Sequence, residues 1–260
     1  MKKRVSIKQP KLIKYAFKVL KINERFFAYL QGKGYGSTTI KQEVNLLAKL
    51  LTSKPILAID IGGNIGDYTA ELIKRFPLLE IHTFEPSKKN IQKLISRFKL
   101  NENVKVLPYA TSNISGSATL FSNEPGSGLG SLTKRNLEHF NIVFDTIEKI
   151  DTIRFEDYWK NSLSSKTIDF VKIDIEGHEL NALEGFGDAI KFIKVLQFEF
   201  GGCNIDTRTY FQDFWYFFKK NNFSIYRITP IGAEYIEKYR ESDEVFLTTN
   251  YIAVNTNLVN

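Results

Sequence analysis

The chain has 260 residues, enough for one large α/β domain with a short extension, and its 43% hydrophobic and 13% aromatic content suffices to fill a core. The single cysteine, Cys203, excludes a disulfide framework or a cysteine-rich zinc site and fits a reducing cytosol; residues 12–30 are too often interrupted by charge to span a membrane. Of the net +7, residues 1–25 carry nine basic residues against one acid, whereas the remainder holds 27 basic and 28 acidic residues; nucleic-acid enzymes more often line the cleft itself with cations.

Within this basic leader, Lys11, Lys14, Lys18, Lys21 and Arg25 recur at steps of three and four, with Leu12, Ala16, Val19 and Leu20 on a neighbouring face. Two readings stand open. The helix packs on the domain with a solvated basic side, or residues 2–25 make peripheral contact with an anionic membrane or an acidic partner. Glycines and hydroxyl residues over 31–39 read as a flexible linker, and Ile40, Val44, Leu47 and Leu51 mark a second helix.

An apolar run, Ile56-Leu57-Ala58-Ile59, then leads into Asp60-Ile61-Gly62-Gly63-Asn64-Ile65-Gly66-Asp67-Tyr68 and an amphipathic stretch with Leu72, Ile73 and Phe76 on one side. The pattern predicts a buried parallel strand, a tight glycine turn and a helix, a unit at which nucleoside-bearing ligands approach the backbone. A nicotinamide fingerprint would need glycine where Asn64 stands, so the spacing suits S-adenosylmethionine instead. Residues 81–84 form the next strand, ending at Glu85-Pro86, and Ser87 caps the following helix. Glu85 follows Gly66 by nineteen positions, close to the spacing at which an acid accepts both ribose hydroxyls.

Residues 104–107 read as a third strand, 118–121 as a short extra one, and Ser112-Asn113 offers polar groups where an adenine edge would lie. Residues 122–150 are the least regular; 122–131 have the composition of a mobile surface loop that closes over an acceptor. Strands at 168–173 and 195–200, helices near 180–190 and 211–218, and closing strands at 223–228 and 251–254 complete the chain. The alternation requires a parallel sheet covered on both faces, with the last two strands an antiparallel pair at one edge.

The densest polar cluster is Lys172-Ile173-Asp174-Ile175-Glu176-Gly177-His178-Glu179, delivered by an apolar strand to the carboxyl end of the sheet, where ligands of open α/β sheets bind. Glu199 arrives on the next strand as an acid in an apolar run and needs a donor, a cation or a raised pKa. His178 titrates near neutrality and is the natural general base, with Asp174 or Glu176 as substitutes. A divalent cation on Asp174, Glu176 or Glu199 would also acidify a hydroxyl, and no ligand pattern demands one.

Together the turn at residues 60–68, Phe84-Glu85-Pro86, residues 103–120, residues 170–179 and residues 197–202 resemble the FkbM family of S-adenosylmethionine-dependent methyltransferases. The resemblance implies a class I methyltransferase (Rossmann-like) fold: a doubly wound, mostly parallel, seven-stranded α/β sheet with an antiparallel edge strand, preceded by N-terminal helices. It divides the chain into a helical extension, 1–31, and a methyltransferase domain, 32–260. The resemblance carries cofactor binding to Asp60, Gly62, Asn64, Gly66 and Glu85; their neighbours Gly63, Tyr68 and Pro86, and the polar pair Ser112 and Asn113, complete the expected set, although relatives commonly carry Asp at position 113. The resemblance carries active-site placement to Asp174, Glu176 and His178, and the reading of the strand ends adds Glu199 to the catalytic set. The expected acceptor is a small molecule or glycan, commonly a sugar hydroxyl, and residues 201–209 resemble a branch often found with bacterial surface-polysaccharide genes; a peptide, lipid or natural-product hydroxyl, or a non-catalytic cofactor-binding scaffold, stands as the alternative. The expected location is cytoplasmic, at the inner membrane face if the leader binds lipid.

Overall fold

The computed structural model describes residues 10–36, 39–51 and 53–259. The leader forms α1 (Lys11–Leu30), followed by α2 (Ile40–Leu50). Next come β1 (Leu57–Ile61), α3 (Asp67–Arg75), β2 (Glu80–Phe84), α4 (Lys88–Phe98) and β3 (Val104–Leu107). Then follow β4 (Ala110–Ser112), β5 (Gly116–Ser122), β6 (Thr146–Arg154) and α5 (Phe155–Ser162). The second half contains β7 (Ile168–Ile173), α6 (Glu179–Gly185), β8 (Ile193–Phe200), α7 (Cys203–Thr207) and α8 (Phe211–Lys220). It closes with β9 (Phe223–Thr229), β10 (Gly232–Tyr235) and β11 (Thr249–Asn255).

The main sheet has the order β10-β9-β11-β8-β7-β1-β2-β3. Strands β3, β2, β1, β7 and β8 are parallel, and β11 runs antiparallel to both β8 and β9. Strand order reverses between β1 and β7, and a crevice for ligands opens at the carboxyl ends of strands flanking such a point. This is the class I methyltransferase arrangement, with one strand more than the seven expected: β10 pairs with β9 as a short hairpin arm at the edge. Its four residues are all exposed, so no apolar alternation announces it.

Period-two alternation on β1 sorts its side chains between two cores. Leu57, Ile59 and Ile61 join Phe155, Trp159, Phe186 and the aromatic group around Phe198, whose ring stacks on Phe214 at 5.1 Å and on Tyr251 at 5.3 Å. Ala58 faces the opposite side with Val44, Leu47, Tyr68 and Leu72. Asp60 therefore points into that second layer, where Thr69 Oγ1 donates to its Oδ2 at 2.6 Å.

A second sheet, β4-β6-β5, occupies residues the sequence left irregular or assigned only to an extra strand. Strand β6 is hard to read because Ile147 points outward, 65% exposed, among charged neighbours. The leader also departs from one expectation. No side chain of α1 is buried, so the helix does not pack on the domain, and its basic stripe lies on an exposed helix. Lys2, Lys3, Arg4 and Lys8 fall outside the described residues, as do Ser37 and Thr38 of the proposed linker. The described part of that linker is held: Gly34 N–H donates to Thr249 Oγ1 at 3.3 Å.

Candidate active site

The crevice at the switch point divides into two cavities that share Gly62, Asn64, Gly128, Asp174 and Glu176. The first lies over the ends of β1 and β2. Gly62 and Gly63 both donate backbone N–H groups to Phe84 O, at 2.9 and 3.0 Å, which ties the turn to β2. Gly62 has φ 86°, and a Cβ there would stand 1.9 Å from Asp174 O, so the β1 and β7 ends approach as closely as only glycine permits. Asn64 takes φ 47°, a left-handed conformation that asparagine tolerates, which explains how the turn keeps its shape without glycine there.

Glu85 braces this cavity. Its Oε2 accepts the Asn64 N–H at 2.8 Å and its Oε1 the Ser87 N–H at 2.9 Å, so one carboxylate clamps the glycine turn to the start of α4. Burial pushes its pKa up, and those two N–H bonds pull it part of the way back. Around it, Ser87 Oγ, Asn90 Oδ1 and Thr111 Oγ1 are buried without a hydrogen-bond partner, and all three residues line the cavity. Orphaned polar atoms of this kind call for a polar ligand or water.

The second cavity, about 830 Å³, opens on the β7–β8–β11 side. Asp174 lies at the junction of the two, and Lys172 Nζ donates to its Oδ2 at 2.7 Å. Burial alone would depress the Lys172 ammonium, but Asp174, Asp60 and Glu43 outweigh it and hold the group above the ordinary lysine range. The same ammonium sits 4.9 Å from the centre of the Tyr68 ring. A buried relay continues behind it: Tyr68 hydroxyl donates to Gln197 Oε1 at 2.7 Å, Gln197 Nε2 to Glu43 Oε2 at 2.7 Å, and Asn250 Nδ2 to Glu43 Oε1 at 2.9 Å.

Glu199 faces the second cavity on β8. Burial, reinforced by Asp174, Glu176 and Glu179, drives its carboxyl well above the usual range. Glu176 reaches both cavities and ion-pairs with Arg135; burial and then Asp174 push its pKa up to about 8 despite that cation. Arg135 also holds Asp206, at 3.3 Å, and Ser131 Oγ donates to Glu176 O at 2.8 Å.

Several expected ligands stand elsewhere. His178 lines only the first cavity, bonded through Nε2 to Ser112 Oγ at 3.0 Å, and burial lowers its pKa to about 4. It does not line the second cavity. Tyr68 faces the second cavity rather than the first. Asn113 turns outward to Glu184, and neither it nor Ser112 lines a cavity; Tyr109, Ala110 and Thr111 do so instead. Asp60, Gly63 and Gly66 lie beneath the surface of the turn, and Asp60 Oδ1 is buried and unpaired. The loop over 122–131 covers the first cavity through Gly126, Ser127, Gly128 and Gly130, with only Gly128 and Leu129 reaching the second.

The family model of the methyltransferase FkbM domain matches residues 60–225, a stretch that holds the glycine turn, Glu85, the Asp174 cluster and Glu199. The chain belongs to the FkbM methyltransferase family. It is similar to Methyltransferase 1 of Beauveria bassiana (strain ARSEF 2860), 23% identical over 145 residues that cover 50% of this chain and 58% of that protein. It is also similar to Methyltransferase sdnD of Sordaria araneosa, 29% identical over 160 residues that cover 52% of this chain and 61% of that protein. The chain thus spans about three fifths of the length of these relatives. Among solved structures it is similar to the methyltransferase FkbM from Methylobacillus flagellatus KT, with 19% identity, a TM-score of 0.48, and 76% of this chain and 44% of that chain covered. The plantazolicin methyltransferase BpumL in complex with SAH gives 11% identity, a TM-score of 0.45, and coverage of 95% and 91%.

The FkbM chain brings to the crevice residues to which the sequence reading gave no role. Glu43 is an acid at helical spacing among Ile40, Val44 and Leu47, a legible anomaly on an apolar face, and it is 2% exposed. Lys172 pairs with Asp174. Arg135 sits in irregular chain, where no periodic signal marks it.

Proposed function

We propose that the chain is an S-adenosylmethionine-dependent O-methyltransferase acting on a sugar hydroxyl, in surface-polysaccharide or glycolipid biosynthesis. The observation that carries this reading is Asp174, whose carboxylate lies between a cavity with orphaned polar atoms and a cleft lined by acids. Residues that would hold the cofactor are Gly62, Asn64, Glu85, Asn90, Thr111 and His178, with Glu85 retaining lone pairs for ribose hydroxyls beside its two N–H bonds. Bound there, the cofactor supplies a methyl group on a sulfonium, open to in-line attack by an oxygen.

The chain's own part is alignment and removal of a weakly acidic proton. Asp174 would take the acceptor's hydroxyl proton, freeing that oxygen to receive the methyl group that the cofactor would supply. Lys172, fixed under Asp174, keeps the carboxylate oriented. Glu199, whose carboxyl burial and the neighbouring acids push well above the usual range, hydrogen-bonds a neighbouring acceptor oxygen. A sugar suits the cleft because carboxyls and the Asn250 amide answer hydroxyls, while Phe140 and Phe246 offer flat apolar faces.

The test is transfer of label from methyl-labelled cofactor to a panel of glycans, glycolipids, peptides and RNA by the purified chain. Label on a carbohydrate oxygen, released as a methyl ether, supports the reading. Label on peptide or RNA with none on any carbohydrate rejects the acceptor class.

A further inference from the structure

We propose that α1 is an interfacial helix that binds the surface of an anionic lipid bilayer. At 100° per residue, Lys11, Lys14, Lys18, Lys21 and Arg25 fall within an arc of about 80°, and the opposite arc of roughly 220° is apolar apart from Asn23 and Glu24. The apolar side chains are large and open to solvent, among them Leu12 at 78%, Leu20 at 60% and Phe27 at 57% exposure. Nothing in the described chain covers them.

The shape of this pattern selects the occupant. One neighbouring helix hides a narrow seam and would leave most of so wide an arc wet. A helix lying about 5–10 Å deep in the headgroup boundary buries most of a body 10–12 Å across and leaves only the outward stripe in water. The cations then sit level with lipid phosphates and carboxylates, whose charge they complement. A nucleic-acid backbone would match the stripe and leave the apolar arc uncovered. No described helix is long and apolar enough to cross a membrane, so α1 lies along the surface.

The helix is rooted at the rim of the acceptor cleft. Its exit turn brings Gly32 against Ile228 O and Gly36 against Thr248, and Gly36, Leu247 and Thr248 line that cleft. Bilayer binding would therefore hold the cleft mouth close to lipid-borne molecules. The proposal stands apart from the acceptor assignment, because binding to lipid is read without any transfer.

The test is co-sedimentation of the full chain with vesicles of equimolar phosphatidylglycerol and phosphatidylcholine, against vesicles of phosphatidylcholine alone. Binding is expected to the anionic vesicles, weakened by salt, and reduced by about fivefold for each of Lys14→Gln, Lys18→Gln and Lys21→Gln. Leu20→Asp with Phe27→Asp should reduce it by tenfold or more. All five positions are exposed, so unchanged melting temperature and cofactor affinity certify that the variants fold. A chain that stays in solution with anionic vesicles overturns the proposal. So does self-association abolished by Leu20→Asp, or retention on duplex RNA, when vesicle binding is absent.

Discussion

Lys172 Nζ lies 2.7 Å from Asp174 Oδ2: Lys172 is the penultimate residue of β7 and Asp174 the first beyond its end, two positions apart, so both groups reach the crevice. The lysine side chain is 8% exposed and the aspartate side chain 34%, so the cation is structural and the carboxylate faces the cavities. Asp174→Asn keeps the shape and removes the proton acceptor. It should lower kcat by about 10²–10⁴-fold while leaving cofactor affinity within about threefold, measured by single-turnover kinetics and calorimetry. Turnover at the parental rate would remove Asp174 from the mechanism.

Lys172→Met tests the pair from the other side. It strands Asp174, Asp60 and Glu43 near one another without their shared cation. Breaking a buried pair typically costs about 3–5 kcal/mol, and the exposure of Asp174 reduces this to about 1–3 kcal/mol here. Thermal unfolding checks it, and a rise in melting temperature would contradict the shared-cation account.

Glu85→Gln replaces a carboxylate that accepts two backbone N–H groups by an amide with a single acceptor oxygen. One N–H, from Asn64 or Ser87, then meets an NH₂ group. Leaving such a donor unsatisfied costs about 1–3 kcal/mol, so the turn loosens and cofactor affinity falls by roughly 10–100-fold. Calorimetric titration with the cofactor reads the change, and unaltered affinity would show that Glu85 braces the turn without serving the ligand.

How much of this was legible follows from where each signal lives. The β1 turn and the 172–179 cluster were readable because packing alone seldom calls for an apolar strand that ends in acids and glycines. The division of labour inside the cluster was not, because sequence order does not say which cavity a side chain enters. His178 follows Asp174 by only four positions, yet after the left-handed turn at Glu176 and Gly177 it lines the first cavity alone. Tyr68 shows the same limit: it is the second residue of α3, and it lines the second cavity. The β5–β6 sheet escaped because its strands are solvated on one face and interleave charge with apolar residues.

His178→Ala separates base from cofactor-side residue. Burial holds the imidazole at about pH 4, so it is neutral throughout the range in which enzymes are usually assayed. The variant should raise the KM for cofactor with kcat within about threefold, and the pH–rate profile above pH 6 should keep its shape. Loss of an ionisation limb together with a kcat drop of about a hundredfold would restore His178 as the base.

Glu179 links the same turn to stability. Its Oε1 accepts the N–H groups of Ile175 at 2.9 Å and Gly177 at 3.2 Å, while Oε2 is buried without a partner. Burial raises its pKa from 4.5 to about 7, against the pull of those N–H donors. Between these values the folded chain keeps a proton that the unfolded chain has released. The contribution is therefore complete below the unfolded pKa and lost as pH rises through the folded one, at up to about 1.4 kcal/mol per pH unit. Glu179→Gln retains the Oε1 acceptor and fixes a neutral group at Oε2, so it should remove this slope. Denaturant unfolding at pH 5 and pH 7.5 should show the parent losing about 2–3 kcal/mol more than the variant. Glu176, held at about 8, titrates in both proteins, so its share largely cancels in the difference. Parallel stability curves would mean that the Glu179 carboxylate is already ionised in the folded chain, and that the turn tolerates a buried negative charge beside Asp174.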